Sequence, residues 1–219
     1  LKGLEPDAKF RFVIWSWPAD RITRRNRPDL VVKHFRSQQE SVYVARLIDR
    51  LHAEVPVSLV GHSYGAQTIC GTFRLLSGGE YAGCTLDRRA TPRRAPLRGV
   101  LVAAAIEDDA LAAADGAPSP LAAVDRLLVT RNCHDSVLRF YPHLCRPRGP
   151  EALGFVGCLR VDADDPNAAK VETIDLACEV GPHHDWDLYR QAASLRARLP
   201  FYTLLKPSEA SGLASVDGE

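Results

Sequence analysis

The chain has 219 residues, of which 46% are hydrophobic, and this length and composition suit a single domain with a sizeable core. The formal net charge of +1 gives no reason to expect nucleic acid or an acidic membrane as a partner. No apolar run reaches the roughly eighteen residues of a membrane span, so we expect no such span. The six cysteines show no spacing typical of a zinc site, and we expect neither a metal nor a cofactor. Cys145 and Cys158, which flank a Pro/Gly loop, are candidates for a disulfide.

The N-terminal part of the chain predicts a strand followed by a helix. Residues 9–17 mix alternation with β-rich residues before a proline, which predicts a strand, and residues 19–28 predict a basic loop. Apolar residues recur at helical spacing between about 31 and 53, which predicts an amphipathic helix with one face on a sheet. The sequence has no methionine, even at position 1, so we expect the chain to begin inside a longer reading frame or after processing.

The stretch after this helix carries the most specific pattern in the sequence. A short apolar run from residue 57 leads into Gly61-His62-Ser63-Tyr64-Gly65, which has the form G-x-S-x-G, and a helix is predicted to follow at 67–76. Such a strand–turn–helix context is typical of a nucleophile elbow, in which a strained turn exposes the serine hydroxyl. The two glycines would let strand and helix approach closely, and the Tyr64 amide would point to a forming oxyanion. The alternative is a plain corner in which the serine has no chemical part.

The rest of the chain alternates predicted strands with helical or loop segments. In chain order these are a loop at 80–98, a strand at 99–106, a short helical excursion at 110–124, a strand at 125–130, a loop at 131–150, a short strand or turn at 154–158, an edge strand at 171–180 and a closing helix at 185–199. Apolar strands alternating with helices favour an α/β fold with a doubly wound, mostly parallel sheet and helices on both faces. We expect one domain at 1–206 and a flexible tail at 207–219.

Three polar side chains are expected to meet at the carboxyl ends of the strands, where ligands bind in such sheets. Ser63, Asp135 and His184 each follow a predicted strand. A serine hydroxyl needs a base that removes its proton, and that base needs an orienting partner. The order Ser…Asp…His along the chain is the order of α/β-hydrolases and differs from the orders of chymotrypsin and subtilisin. The three residues are therefore candidates for nucleophile, acid and base.

On these residues the chain resembles bacterial esterase/lipase-like α/β-hydrolases, and in particular a poorly characterised branch of that superfamily. Residues 15–18 read W-S-W-P and residues 132–138 read N-C-H-D-S-V-L, which match two further segments of the branch. The similarity covers about residues 9–200. The resemblance implies a cofactor-free serine hydrolase that acts on small carboxylic esters, with Ser63 as nucleophile, Asp135 as acid and His184 as base.

One departure from the family concerns the oxyanion hole. Members usually carry an earlier strand ending in His-Gly, and the loop after it supplies a second oxyanion amide. This chain starts too late for that strand, so the resemblance implies an N-terminally truncated α/β-hydrolase fold. The second donor is then expected either in a missing N-terminal segment or in the turn of Ser16 and Trp17. The side chains of Trp15 and Trp17 are expected either in core packing or in the wall of an apolar substrate pocket.

Neighbouring residues compete for two of the proposed roles. Asp108 and Asp109 follow the preceding predicted strand, where some hydrolases place their acid, but they equally suit a helix N-terminus. His183 competes with His184 for the role of base, and only the family-like G-x-x-H spacing before an aromatic residue favours the latter. His62, inside the elbow, is expected to pack or hydrogen-bond beneath the serine.

Other functions remain open beside the esterase. An amidase, thioesterase or peptidase would use the same triad, and a catalytically silent binding module would keep the fold without the chemistry. Residues 107–124, where many lipases insert a lid, are short and alanine-rich, which favours an open-cleft esterase for soluble or short-chain esters. Oligomeric state and cellular compartment do not follow from the sequence.

Overall fold

The computed structural model of the protein describes residues 10–24, 26–87, 93–113, 116–144, 149–162 and 164–204. The predicted tail at 207–219 lies outside these residues, as does Cys145 of the candidate disulfide. Cys158, the other half of that candidate, carries a free thiol.

A four-stranded, all-parallel sheet forms the centre of the fold. Its strands are β1 (Val57–His62), β2 (Leu97–Val102), β3 (Arg126–Arg131) and β4 (Val171–Asp175). This sheet confirms the α/β class and the parallel arrangement. The strands lie in the sequential order β1-β2-β3-β4, so the described strands show no reversal of the kind that defines a doubly wound sheet. Because all four run in one direction, the loops that follow them open at the same edge of the sheet.

Helices lie on both faces of this sheet. They are α1 (Asn26–Arg50), α2 (Tyr64–Leu76), α3 (Ser136–Arg139), α4 (Leu153–Val156), α5 (Ala177–Val180), α6 (Trp186–Tyr189) and α7 (Ala193–Tyr202), with 3₁₀ turns at Pro120–Ala123, Tyr141–His143 and Ala168–Lys170. Strand β2 is fully buried, and alternate residues face opposite layers: Leu101 packs with Phe73 of α2, whereas Val100 packs with Leu195 of α7. None of the helices in the described residues combines the length and the hydrophobicity that crossing a membrane requires.

The strand predicted at 9–17 is wrong for its described part, residues 10–17, which contain no strand. Phe12 and Ile14 are 79% and 80% exposed, so the alternating pattern buries neither of its apolar side chains. A strand needs a hydrogen-bonded neighbour, and none of the described strands pairs with this segment. The segment instead contacts α1, where Trp15 Nε1 donates a 3.0 Å hydrogen bond to Glu40 Oε2.

The first helix begins earlier than predicted and packs on a helix rather than on the sheet. Its start at Asn26 takes in three residues, 26–28, that the sequence assigned to the basic loop. Helix α1 packs chiefly against α2, where the hydroxyls of Thr68 and Thr72 donate to the carbonyl oxygens of Ser37 and Ser41 at 3.1 and 3.3 Å. Strand β1 is the edge of the described sheet, so no further strand lies beneath α1.

Several later boundaries also differ from the sequence prediction. The strand expected at 171–180 ends at Asp175, and helix α5 begins at Ala177, whose amide donates a 2.8 Å hydrogen bond to the Asp175 carboxylate. The closing helix expected at 185–199 is two helices, α6 and α7, and residues 154–158 fall largely in helix α4. The excursion at 110–124 contains only a 3₁₀ turn in its described residues.

We expect Gly61→Ala to lower the free energy of unfolding by about 1–3 kcal/mol, because the added methyl would lie 2.5 Å from the carbonyl carbon and oxygen of Gly65. Gly65→Ala is the matched control. A methyl at that position meets nothing within 4 Å, and alanine is favoured over glycine in a helix by about 1 kcal/mol. Urea unfolding of both variants checks the expectation, and equal stabilities would contradict the close approach of β1 and α2 at Gly61.

Candidate active site

Ser63 stands between the last residue of β1 and the first residue of α2. Its φ of 56° and ψ of −120° lie in a region that residues with a side chain rarely adopt, so the surrounding structure must hold the turn. The Ser63 amide donates to the carbonyl of Val102 at 2.9 Å, and its own carbonyl accepts from the amides of Ala66 and Ala105 at 3.0 and 3.3 Å. Strand, helix and the loop after β2 therefore fix the position from which the half-buried hydroxyl projects.

His184 brings the other two candidate residues together. It lies in the loop between α5 and α6, and its Nε2 is 2.9 Å from Ser63 Oγ. Its Nδ1 is 2.8 Å from Asp135 Oδ2. With the proton on Nδ1 donated to the carboxylate, Nε2 is left to accept the serine proton, which is the tautomer a general base requires. The three side chains predicted from their places after strands thus form one continuous hydrogen-bonded chain.

Asp135 is fully buried, and both of its carboxylate oxygens are saturated with donors. As N-cap of α3 it accepts at Oδ1 from the amides of Val137 and Leu138, at 2.9 and 3.0 Å. At Oδ2 it accepts from His184 and from the hydroxyl of Tyr189, at 2.8 and 2.9 Å. Burial alone would raise the pKa of this carboxyl, but its hydrogen bonds and the nearby imidazole hold the pKa below the usual value. The group is therefore an ionised carboxylate at neutral pH.

The competing residues do not reach the triad. Asp108 forms an ion pair with Arg160, with 3.1 Å between Oδ2 and Nε. Asp109 and His183 are exposed. Since His184 is the histidine that lies between the serine and a buried carboxylate, geometry separates the two adjacent histidines where sequence alone did not.

His62, inside the elbow, forms a hydrogen bond to the backbone of His184. Its Nε2 donates a 2.9 Å hydrogen bond to the carbonyl oxygen of His184, and the centres of the two rings are 5.0 Å apart. The ring centre of Trp186, the first residue of α6, lies 5.9 Å from that of His62. Burial, together with the charge of His184, lowers the pKa of His62 to about 4. His62 is therefore neutral at physiological pH and holds the backbone of the base in place.

The expected oxyanion donors differ in how well they are positioned. Tyr64 is the first residue of α2, so its amide lies at the positive end of the helix, and its hydroxyl is anchored to the carbonyl of Leu30 at 3.1 Å. Trp17 is half-buried and packs against the core cluster that contains Tyr64. Ser16 and Trp15 are exposed. The assignment of Ser16 and Trp17 as a second donor stays a prediction.

Sequence reasoning missed one member of the site, Tyr189. This residue is fully buried, and its hydroxyl accepts a 3.1 Å hydrogen bond from Nδ2 of Asn132 while it donates to Asp135. In the sequence it is a tyrosine inside the expected closing helix, and core packing is the usual interpretation of such a residue. Asn132 could have been suspected, because it is the first residue of the N-x-x-D segment, but that pattern does not indicate which groups its side-chain amide contacts.

Two neighbouring cavities lie on the α1 and α2 side of the molecule. Their volumes are about 310 and 350 Å³, and both are lined by His34, Gln38, Glu107 and Tyr141. None of the three triad side chains lines either cavity. Within the described residues, no group of three or more histidine, cysteine, aspartate or glutamate side chains is arranged to hold a metal ion.

Comparison of the chain with protein-family models, with curated proteins and with solved structures found no match. The resemblance to α/β-hydrolases therefore rests on the motifs of the chain and on the geometry of its site.

The depressed pKa of His62 predicts a specific loss of stability in acid. Its folded pKa of about 4 lies below the ordinary 6.5, so the unfolded chain binds a proton more readily and stability falls as the pH drops from 6.5 to 4. We expect His62→Gln, which can still donate to the His184 carbonyl, to remove about 2 kcal/mol of the wild-type loss between pH 7 and 4.5. Chemical unfolding at the two pH values measures this, and identical losses in both proteins would contradict it.

Proposed function

We propose that this protein is a serine hydrolase of the α/β-hydrolase type, which cleaves carboxylic esters through an acyl-enzyme. The observation that carries the proposal is the single imidazole that joins the Ser63 hydroxyl to the buried carboxylate of Asp135. A serine is a weak nucleophile at its ordinary pKa, and an adjacent oriented base is the usual means of activating it. The strained turn at Ser63 further supports a chemical part for this residue, because strain of this kind gathers at functional sites.

In the acylation step, His184 Nε2 removes the proton of Ser63 as the hydroxyl oxygen forms a bond to the ester carbonyl carbon. The carbonyl electron pair moves onto oxygen, and the Tyr64 amide at the start of the thirteen-residue helix α2 stabilises that charge. When the tetrahedral intermediate collapses, the protonated imidazole gives its proton to the leaving alcohol. The product of this half-reaction is an ester between Ser63 and the acyl group.

In the deacylation step, the same imidazole takes a proton from water as the water oxygen forms a bond to the acyl carbon. The bond between that carbon and Ser63 Oγ then breaks, the imidazole returns its proton to Oγ, and the acid is released. Both half-reactions pass through a positively charged imidazole. Asp135 stabilises that charge because it is ionised, buried and joined to Nδ1 at 2.8 Å. It also keeps the imidazole in the tautomer that leaves Nε2 facing Ser63.

The segment after β2 supports small or soluble esters as substrates. Leu111, Leu121 and Val124 are buried in the core cluster on the α2 face of the sheet. These side chains are therefore not free to form the apolar flap with which an interfacial lipase shields its cleft.

A catalytically silent binding module is a second candidate, and the N-terminal segment favours it. Ser16 is exposed, and among the described residues Tyr64 is the one whose amide lies at the start of the elbow helix, where an oxyanion donor is expected. Loss of one such donor lowers turnover by about 10²–10³-fold, so a chain with a single donor is a weak catalyst or none. Reaction with an active-site probe separates this candidate from the hydrolase.

We expect a fluorophosphonate probe to label the protein at Ser63, as located by mass spectrometry of the digest. Ser63→Ala removes the nucleophile and should abolish labelling, and His184→Gln should slow it by about 10³-fold or more, since the hydroxyl loses its base. His183→Gln is the matched control and should label within about twofold of wild type. Failure of the folded wild-type protein to react would favour the binding module, and full reactivity of Ser63→Ala would refute the mechanism.

We expect p-nitrophenyl acetate and butyrate to be hydrolysed with a kcat/KM about tenfold or more above that of p-nitrophenyl palmitate. The reason is that Leu111 and Leu121 are buried in the core, so these side chains of the described segment after β2 do not form an apolar flap that could cover a long acyl chain. The corresponding p-nitroanilides and thioesters, assayed in parallel, test the amidase and thioesterase alternatives. Higher activity on emulsified long-chain triglyceride than on the short esters would contradict this substrate class.

A further inference from the structure

A buried tyrosine outside the triad contacts the same oxygen as the catalytic imidazole. The hydroxyl of Tyr189, on helix α6, is 2.9 Å from Asp135 Oδ2, and His184 Nδ1 is 2.8 Å from that oxygen. The carboxylate can only accept, so the phenol is the donor in this contact. Burial and the charge of Asp135 both raise the pKa of Tyr189, so the phenol remains protonated. Two donors therefore share one carboxylate oxygen.

The Tyr189 hydroxyl is itself held by the side-chain amide of Asn132, which also contacts the loop that carries His184. Asn132 Nδ2 donates to the Tyr189 hydroxyl at 3.1 Å and to the carbonyl oxygen of Gly181 at 2.9 Å. Asn132 Oδ1 accepts from the amide of His134 at 3.0 Å, so both the nitrogen and the oxygen of the side-chain amide have partners. The network joins the loop after β3, which carries the acid, to the loop after α5, which carries the base. At the phenolic oxygen, helix α6 thus meets the loop after β3 through both Asn132 and Asp135.

We propose that Tyr189 is a positioning residue for the triad, whose hydroxyl aims Asp135 Oδ2 at His184 and moderates the negative charge that the imidazole meets. The inference rests on the proposed hydrolase function. A phenyl ring would fill the same buried volume, so packing accounts for the ring but not for a hydroxyl placed on the carboxylate. The hydroxyl restrains the oxygen that must stay in line with Nδ1 while the base gains and loses a proton.

The charged groups around the His184 imidazole determine how the pH dependence of kcat/KM is interpreted. Asp135 faces His184 on one side, and His62 faces it across a ring separation of 5.0 Å. Asp185, next in sequence, interacts electrostatically with His62. Because the pKa of His62 is about 4, its charge is constant above about pH 5. In that range, the acidic limb of kcat/KM reports the base under the influence of Asp135 and Tyr189.

The test compares Tyr189→Phe with Tyr202→Phe. Tyr202 is also buried, and its hydroxyl donates to the carboxylate of Glu172 at 2.9 Å, so the control removes the same kind of hydrogen bond on helix α7. We expect Tyr189→Phe to lower kcat about tenfold with KM within about twofold, since the hydroxyl acts after substrate has bound. We also expect its acidic limb to move to higher pH by about half a unit, because Asp135 Oδ2 then offers its full charge to the imidazole. Tyr202→Phe should change neither quantity.

Each other outcome overturns the inference. An unchanged kcat in folded Tyr189→Phe means that the hydroxyl has no part in the reaction. A lower kcat with an unmoved acidic limb means that it is only structural. If Tyr189→Phe does not fold, Asn132→Ala replaces it, because this variant keeps the phenol but removes its donor. A lower kcat with a limb shift in the same direction supports the inference, and wild-type kinetics refute it.

The nuclear magnetic resonance signal of one proton tests the positioning role of Tyr189 independently of the proposed hydrolase activity. The Nδ1 proton shared by His184 and Asp135 is observable at low field by nuclear magnetic resonance without any substrate. If the wild-type chain neither reacts with the probe nor hydrolyses esters, the proposed hydrolase fails. The position of this resonance still tests the hydroxyl. We expect it to move in Tyr189→Phe and to stay in Tyr202→Phe, and equal positions in wild type and Tyr189→Phe would overturn the positioning role.

Discussion

The buried carboxylate of Asp135 is the group on which the arrangement of the site depends. Removing an ionised carboxylate from water is costly unless donors fill its acceptor positions, and here four do so. Two are amides of the first turn of α3, one is the imidazole and one is the phenol of Tyr189. Any displacement of the loop that carries His184 or of helix α6, which carries Tyr189, would leave the buried charge with fewer hydrogen-bond partners. The contacts that stabilise the buried charge of Asp135 therefore also keep His184 within hydrogen-bonding distance of Ser63.

Ser63, the proposed nucleophile, is held by a second set of contacts, which come from the ends of neighbouring strands. Ser63 and Ala103 follow β1 and β2, and both have positive φ, of 56° and 46°. The amide of Ala103 donates to Thr130 Oγ1 at 3.0 Å, and the amide of Ala105 donates to the Ser63 carbonyl. Each strained turn is thus fixed by the next strand or by the other turn. Because parallel strands bring these turns to one edge, backbone pairing in the sheet is transmitted directly to the position of the hydroxyl.

Local patterns were enough to predict those parts of the site that depend on local structure. The apolar run before Ser63 and the helix after it define the elbow, and Asp135 follows β3 with an N-cap position that its own residue type favours. The choice between His183 and His184 needed the distance to a carboxylate in another loop. Tyr189 could not be predicted, because a buried tyrosine gives the same sequence pattern whether its hydroxyl meets an acid or a backbone carbonyl.

The N-terminal segment shows the opposite case, in which a clear local pattern has no structural counterpart. Alternation in residues 10–17 meets one requirement of a strand, but a strand also needs a paired backbone. Strand β1 is the edge of the described sheet and has no such partner on that side, and its residue Val60 is 44% exposed. The oxyanion part of the proposed mechanism lies on this side, whereas the acid–base part lies on the paired side of the sheet. A general base contributes about 10²–10⁴-fold and a single oxyanion donor about 10²–10³-fold. The largest contribution expected from the acid–base half of the site therefore exceeds the largest expected from the half that depends on Tyr64.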